Sequence, residues 1–156
     1  MLIRLFGAIA IAIAPSYTMH AQEVASKQPG YRWKVEMLAL DANEGCAIGD
    51  LNADGKNDVV AGRNWYAAPD FKPRPLRTIE DWNGYVESNG DFIMDMNGDG
   101  RPDVVAGSFL PALVHWYENP GPEGWRLGQT RKKHLLVDTA ASQNEAQLMA
   151  DIDGDG

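Results

Sequence analysis

The sequence predicts an all-β fold made of repeated four-stranded antiparallel units, and three observations carry that reading. The first is a nine-residue acidic loop, Asp50-Leu51-Asn52-Ala53-Asp54-Gly55-Lys56-Asn57-Asp58. It returns as Asp95-Met96-Asn97-Gly98-Asp99-Gly100-Arg101-Pro102-Asp103 and begins a third time as Asp151-Ile152-Asp153-Gly154-Asp155-Gly156. The second is a pair of strings shared by the segments after the two full loops: Val-Val-Ala-Gly at residues 59–62 and 104–107, then Trp-Tyr at 65–66 and 116–117. β-Branched runs stopped by Gly read as buried strands. The third is the period. The loops start at residues 50, 95 and 151, which are 45 and 56 residues apart, and a repeat of that size holding about four short strands is the signature of a β-propeller blade.

Taken in order, residues 1–21 read as a secretory signal peptide. Arg4 supplies the positive region, Leu5 to Ala14 the apolar run, and Ala21 the cleavage point after Pro15 breaks the run. That run is too short to span a bilayer, which needs about 20 residues, so the mature chain is expected to be exported, with no membrane span. Residues 22–32 form a polar linker containing Pro29 and Gly30. The propeller reading covers residues 33–156. Its first pass predicts strands at Trp33 to Leu40, Cys46 to Leu51, Asp58 to Gly62, Asn64 to Tyr66 and Leu76 to Trp82, with a turn at Pro69, Pro73 and Pro75. The second pass predicts Asp91 to Met96, Asp103 to Gly107, Leu113 to Tyr117 and Arg131 to Val137, with a turn at Asn119 to Pro122. A third pass opens at Gln147 to Ala150. No segment after Trp33 keeps a 3.6-residue pattern, so helical repeats are excluded. The reading is therefore two complete blades plus flanking strands of two others, a fragment of a larger ring.

The chain has 156 residues and a formal charge of -8. Phosphate binding needs clustered Lys and Arg, which are missing here, so a nucleic-acid partner is not expected. Cys46 is the only cysteine, cannot pair within the chain, and is expected to pack as a small buried hydrophobe.

The acidic loops read as wrappers for a hard cation. Oxygen-bearing side chains stand at the first, third, fifth and ninth positions, and Gly occupies the sixth, where the loop turns sharply. Ca²⁺ takes about 6–8 oxygen ligands, and alternate side chains plus a carbonyl at position seven supply most of them. An EF-hand would need Glu at position twelve between helices, whereas Ala61 and Ala106 stand there inside strands. The plain alternative is an acidic turn that needs no ion, since Asx-rich loops also cap and turn by themselves. Against it, three carboxylates within nine residues repel one another unless neutralised.

The loop motif with its following Asp-Val-Val-Ala-Gly strand resembles the FG-GAP repeat family, also described as VCBS-type repeats and known from integrin α-subunit propellers. The resemblance implies a calcium-stapled propeller, commonly of seven blades. Carried over by position, it implies ligands at Asp50, Asn52, Asp54 and Asp58 with the carbonyl of Lys56. The second set is Asp95, Asn97, Asp99 and Asp103 with the carbonyl of Arg101. Asp151, Asp153 and Asp155 form a truncated third set. The string Trp116-Tyr117-Glu118-Asn119-Pro120-Gly121 looks like propellers of secreted bacterial and fungal proteins, some with sugar-lyase or dehydratase activity.

No nucleophile elbow, phosphate loop, zinc spacing or dinucleotide motif is present. His115 beside Trp116 reads as a packed or rim histidine. The five Trp residues read as packing between units, with sugar stacking as the sharper alternative. Arg131-Lys132-Lys133 reads as a solvated basic run. The expectation is thus an exported, calcium-binding module for a protein or carbohydrate ligand, with no catalytic residue of its own. The alternative is the propeller of a carbohydrate-active lyase or dehydratase whose catalytic residues lie elsewhere.

Overall fold

A computed structural model describes residues 22–25, 30–145 and 147–154. The signal-peptide reading of residues 1–21 and the proposed ligand Asp155 lie outside them. The chain divides into two compact units, Met1–Met37 and Leu38–Gly156.

In the first unit β1 (Gln22–Ala25) pairs antiparallel with β2 (Arg32–Val35), Gln22 opposite Val35 and Ala25 opposite Arg32. Part of the stretch expected to be linker thus forms a strand, and the strand expected from Trp33 to Leu40 stops at Val35. Pairing in a hairpin satisfies backbone groups that an open linker leaves to water.

The second unit is built on two four-stranded antiparallel sheets. The first contains β3 (Cys46–Gly49), β4 (Asp58–Ala61), β5 (Asn64–Ala67) and β6 (Lys72–Pro75), in the order β3-β4-β5-β6. Its fourth strand is not the expected Leu76 to Trp82 but the Pro-containing segment before it. Pro73 and Pro75 lie on the outer edge, facing Tyr66 and Asn64, where a missing N–H costs no ladder bond. Leu76 instead turns inward and is fully buried, its N–H donating to the Arg63 carbonyl at 3.0 Å. A short hairpin comes next, β7 (Asp81–Trp82) with β8 (Tyr85–Val86), turned on Asn83-Gly84, both at positive φ, as a tight hairpin requires.

The second sheet contains β9 (Gly90–Met94), β10 (Asp103–Gly107), β11 (Leu113–Glu118) and β12 (Lys132–Asp138), in the order β12-β11-β10-β9. Between β11 and β12 the expected turn holds a short helix, α1 (Gly121–Arg126), with Pro in its first turn, a position where its missing N–H has no helical partner anyway.

Strand alternation decides what packs. Ala47, Val60, Trp65 and Ala67 share one face of the first sheet; Ile93, Val104, Ala106 and Tyr117 share one face of the second. These faces meet, with Leu51 and Leu76, in one hydrophobic core. Burying a Leu or Val here contributes about 1.5–3 kcal/mol. Trp125 of α1 closes the end of that core against Trp65, ring centroids 4.5 Å apart. An ion pair lies beneath: Arg77 donates to Asp91 at 2.7 Å, to Ser88 at 2.9 Å and to the Gly62 carbonyl at 2.8 Å, all buried.

Cys46 is exposed, contrary to expectation. It shares a face with Ile48, itself 67% exposed, and alternation turns that face away from the core. The second sheet likewise leaves a face open, where Phe92, Met94, Val105 and Leu136 line a groove of about 550 Å³ along which Gln147, Leu148 and Met149 lie. The chain enters each sheet in a similar way: a Cβ at Gly45 would come within 2.8 Å of Asp91 Oδ2, and one at Gly90 within 2.6 Å of Gln147 Oε1. Arg77 and Ser88 hold the Asp91 carboxyl in place, so position 45 needs glycine, whereas at position 90 the flexible end of Gln147 would have to shift.

Candidate metal loops and the carboxylate clamps beneath them

Each acidic loop joins the first two strands of its sheet, so both loops sit at the same end of their sheets. In the first, Asp50 accepts the N–H groups of Asp54 at 3.0 Å and Gly55 at 2.8 Å. Asn52 Oδ1 accepts the Asp54 N–H at 3.0 Å, and Asp54 accepts the Lys56 N–H at 2.9 Å. The second repeats the scheme. Asp95 accepts from Gly98 at 2.8 Å, Asp99 at 3.2 Å and Gly100 at 2.7 Å; Asn97 accepts from Asp99 at 3.0 Å, and Asp99 from Arg101 at 2.9 Å. Gly55 and Gly100 at the sixth position have φ of 84° and 79°, and the fourth position is also left-handed, at Ala53 (60°) and Gly98 (74°). The third loop starts alike, with Asp151 accepting the Gly154 N–H at 2.7 Å; Asp153 is exposed.

The charges are distributed accordingly. The N–H groups of Gly100 and then Gly98, Asp99 and Asn97 hold the Asp95 carboxyl below its ordinary range. Lys56 Nζ stands 3.5 Å from Asp54, and Arg101 pairs with Asp99. The seventh-position residues, expected to offer only a carbonyl, also place a cation beside the fifth-position carboxylate.

The ninth-position residues behave differently. Asp58 and Asp103 are completely buried. Asp58 accepts the N–H of Leu51 and of Ala68, both at 3.0 Å; Asp103 accepts those of Met96 at 3.0 Å and Asn119 at 2.7 Å. Each therefore ties the second residue of its own loop to the segment leaving the third strand. Burial pushes the Asp58 carboxyl up, helped by the charges of Asp54 and Asp50 and opposed by its two N–H donors.

Donor chemistry fits a hard cation. Every side-chain oxygen of the first, third and fifth positions is an oxygen of the type Ca²⁺ takes; Asp50, which accepts two N–H bonds, keeps lone pairs free among its roughly four sites, whereas Asp95, which accepts three or more, has most of its capacity taken. The carboxylates are not, however, drawn together: among the described residues no group of three or more His, Cys, Asp or Glu stands in metal-holding geometry. Positions one, three and five close onto backbone N–H groups, and position nine faces the core.

Asn119 is the residue that sequence reasoning passed over as a turn former. It is 2% exposed; its Nδ2 donates to the carbonyls of Leu51 and Pro102, both at 2.8 Å, and its Oδ1 accepts the Gly121 N–H at 3.0 Å. One side chain thus joins the first loop, the second loop and α1. Arg131, expected to be solvated, is 5% exposed, lies 4.7 Å from the Trp125 ring centroid and reaches the carbonyls of Pro102 and Tyr117 at 3.3 Å. Desolvation lowers its pKa to about 10. Lys132 and Lys133 are exposed as expected. His115 is half-buried, and burial followed by the Lys133 charge lowers its pKa. His134 stacks on Trp116 at 4.1 Å and meets Glu118 at 2.7 Å.

No protein-family model, curated protein or solved structure matches the chain. Among the described residues no helix is long and apolar enough to cross a membrane.

Proposed function

We propose that the chain is part of an exported, calcium-stabilised β-propeller of the FG-GAP or VCBS type that serves as a binding or scaffold module for a protein or carbohydrate. The observation that carries this reading is the equivalence of the two loop-and-clamp assemblies. Two four-stranded sheets, each with an acidic loop in the same hairpin and a buried Asp in the same strand position, are what a blade repeat requires. In this reading Asp50, Asn52 and Asp54 with the Lys56 carbonyl, and Asp95, Asn97 and Asp99 with the Arg101 carbonyl, hold the ions, while Asp58 and Asp103 act first as clamps. The ion neutralises the crowded carboxylates and fixes the hairpin, so its binding energy is folding energy.

Calorimetric titration of the full chain with Ca²⁺, paired with thermal unfolding before and after chelation, tests this. The reading expects saturable uptake and a lower midpoint after chelation. No uptake, or an unmoved midpoint, would sink it.

A further inference from the structure

We infer that the outer edge of β12 pairs with the same edge of a second copy of this chain, antiparallel about a twofold axis, joining two four-stranded sheets into one of eight strands. The two outer edges of the molecule are built differently. β6 ends the first sheet with four residues, two of them Pro73 and Pro75, and proline on an edge removes donors that another strand would need. β12 ends the second sheet with seven residues, the longest of the described strands, and contains no Pro. At about 3.3 Å per residue it offers an edge roughly 23 Å long. Such an edge carries a row of N–H and C=O groups that a further strand can satisfy. Leu136 adds to them, because the register with β11 passes from Leu135 to Val137 and leaves it without a partner there. The bulge adds twist at this point, and a twofold partner carries the same twist.

The side chains require a neighbour in the plane of the sheet. Leu135, Leu136 and Val137 are 58%, 44% and 45% exposed. Leu135 stands opposite His115 and Val137 opposite Val114. Consecutive residues of β11 point to opposite faces, so these two exposed side chains do as well. A layer stacked on one face would cover only one of them, whereas a strand beside β12 packs against both.

Charge selects the second copy. Lys132 and Lys133 begin the strand and Asp138 ends it, and none of the three is in an ion pair among the described residues. An antiparallel twofold sets the lysines of each copy against Asp138 of the other, twice over, while the apolar centre of the strand meets itself. A parallel copy would set like charges side by side.

The test is sedimentation velocity of the full chain under reducing conditions, from about 1 μM to about 1 mM. Salt of about 0.15 M screens the general repulsion of a chain of charge -8 beyond about 8 Å and leaves touching pairs in place. A reversible monomer–dimer equilibrium is expected, with amide exchange across residues 132–138 slowing as dimer forms. Asp138→Lys turns the lysine contacts into like-charge contacts and is expected to weaken dimerisation about tenfold or more. The double variant Lys132→Asp with Lys133→Asp should do the same. All three positions are exposed, so the unfolding midpoint of dilute monomer should move little in either variant. Mixing the two variants is expected to restore dimers containing one of each, which only contact between the lysines and position 138 of the other copy provides. A chain that stays monomeric to about 1 mM overturns the proposal, as does dimerisation that Asp138→Lys leaves unchanged or that mixing fails to restore. Protection of these amides that appears only on adding an unrelated Val- and Thr-rich peptide assigns the edge to a foreign strand and overturns it as well.

Discussion

The side-chain amide of Asn119 donates to the backbone carbonyl of Leu51 across 68 positions of sequence, at 2.8 Å and out of contact with solvent. Leu51 belongs to the first acidic loop and Asn119 to the turn after β11, so this bond ties the first sheet's loop to the second sheet. The same amide donates to the Pro102 carbonyl, and its oxygen accepts from Gly121. Asn119→Ala removes all three bonds and leaves buried backbone groups unmatched. The expected loss is about 2–4 kcal/mol, read from the denaturant midpoint at constant slope. Asn119→Asp keeps the acceptor for Gly121 but sets a buried carboxylate oxygen against the carbonyls of Leu51 and Pro102, so it should cost at least as much as Ala.

Clamp and loop carboxylates are separable by experiment. Asp58→Ala strips the N–H groups of Leu51 and Ala68 of their acceptor in a buried place, and is expected to destabilise by about 2–4 kcal/mol whether or not Ca²⁺ is present. Asp54→Ala, at an exposed position, should cost little in chelator and remove the first loop's share of the calcium-dependent rise in midpoint, leaving the share of the second loop. Equal losses for both variants in both conditions would remove the distinction between clamp and ligand.

Repetition made the larger part of this fold legible. Asp-Val-Val-Ala-Gly and Trp-Tyr recur at fixed offsets from each loop, and β4, β5, β10 and β11 lie where those strings stand. What escaped depends on partners far away in sequence. Pro73 and Pro75 look like turn residues until β6 is recognised as an edge. Arg131 looks like the start of a basic run, yet Trp125 and the carbonyls of Pro102 and Tyr117 enclose it. Cys46 reads as core by composition, but the face it shares with Ile48 points outward. In the acidic loops, alternation revealed the oxygens of positions one, three and five, whereas the inward turn of Asp58 and Asp103 depends on acceptors for N–H groups in other strands.

Backbone handedness in the loops gives a paired prediction. Gly55 has φ of 84° and Ala53 φ of 60°. Gly55→Ala places a side chain in the left-handed region and is expected to cost about 1–2 kcal/mol. Ala53→Gly relieves that conflict while giving the unfolded chain more freedom, an offset of about 0.4–1 kcal/mol, so its net effect is neutral to stabilising by up to about 1 kcal/mol. Loss of stability in Ala53→Gly equal to that of Gly55→Ala would show that position four does not hold its left-handed geometry.

Alkaline pH should weaken the core through two phenols. Tyr117 and Tyr66 are 4% and 3% exposed, and burial raises both above the ordinary value of 10.0, with the charges of Asp91 and Asp41 respectively adding to it. Below about pH 10 the phenols are neutral in folded and unfolded chains alike, and their contribution is complete. As pH rises further the unfolded chain ionises first, the folded chain binds more protons, and stability falls. Denaturation at about pH 9 and about pH 11 measures the slope; Tyr117→Phe should flatten it, and an unchanged slope in that variant would assign the loss to other groups.

The reactivity of Cys46 tests the direction in which the first sheet faces. The residue as a whole is exposed, but neighbouring atoms shield its thiol enough to raise the pKa above 9.0, and the Asp91 carboxylate pushes it the same way. Because the thiolate is the nucleophile, alkylation of the folded chain at neutral pH should be slower than that of the unfolded chain. The two rates should converge as the pH passes the folded thiol's pKa, with no unfolding needed. If the thiol were instead packed in the core, native alkylation would stay blocked at high pH until denaturant was added. If Asp91 and shielding had no effect, native and unfolded chains would react alike at neutral pH. Only slow neutral labelling that recovers with pH in the folded state fits a cysteine on the open face of β3, one strand position away from the core-facing Ala47.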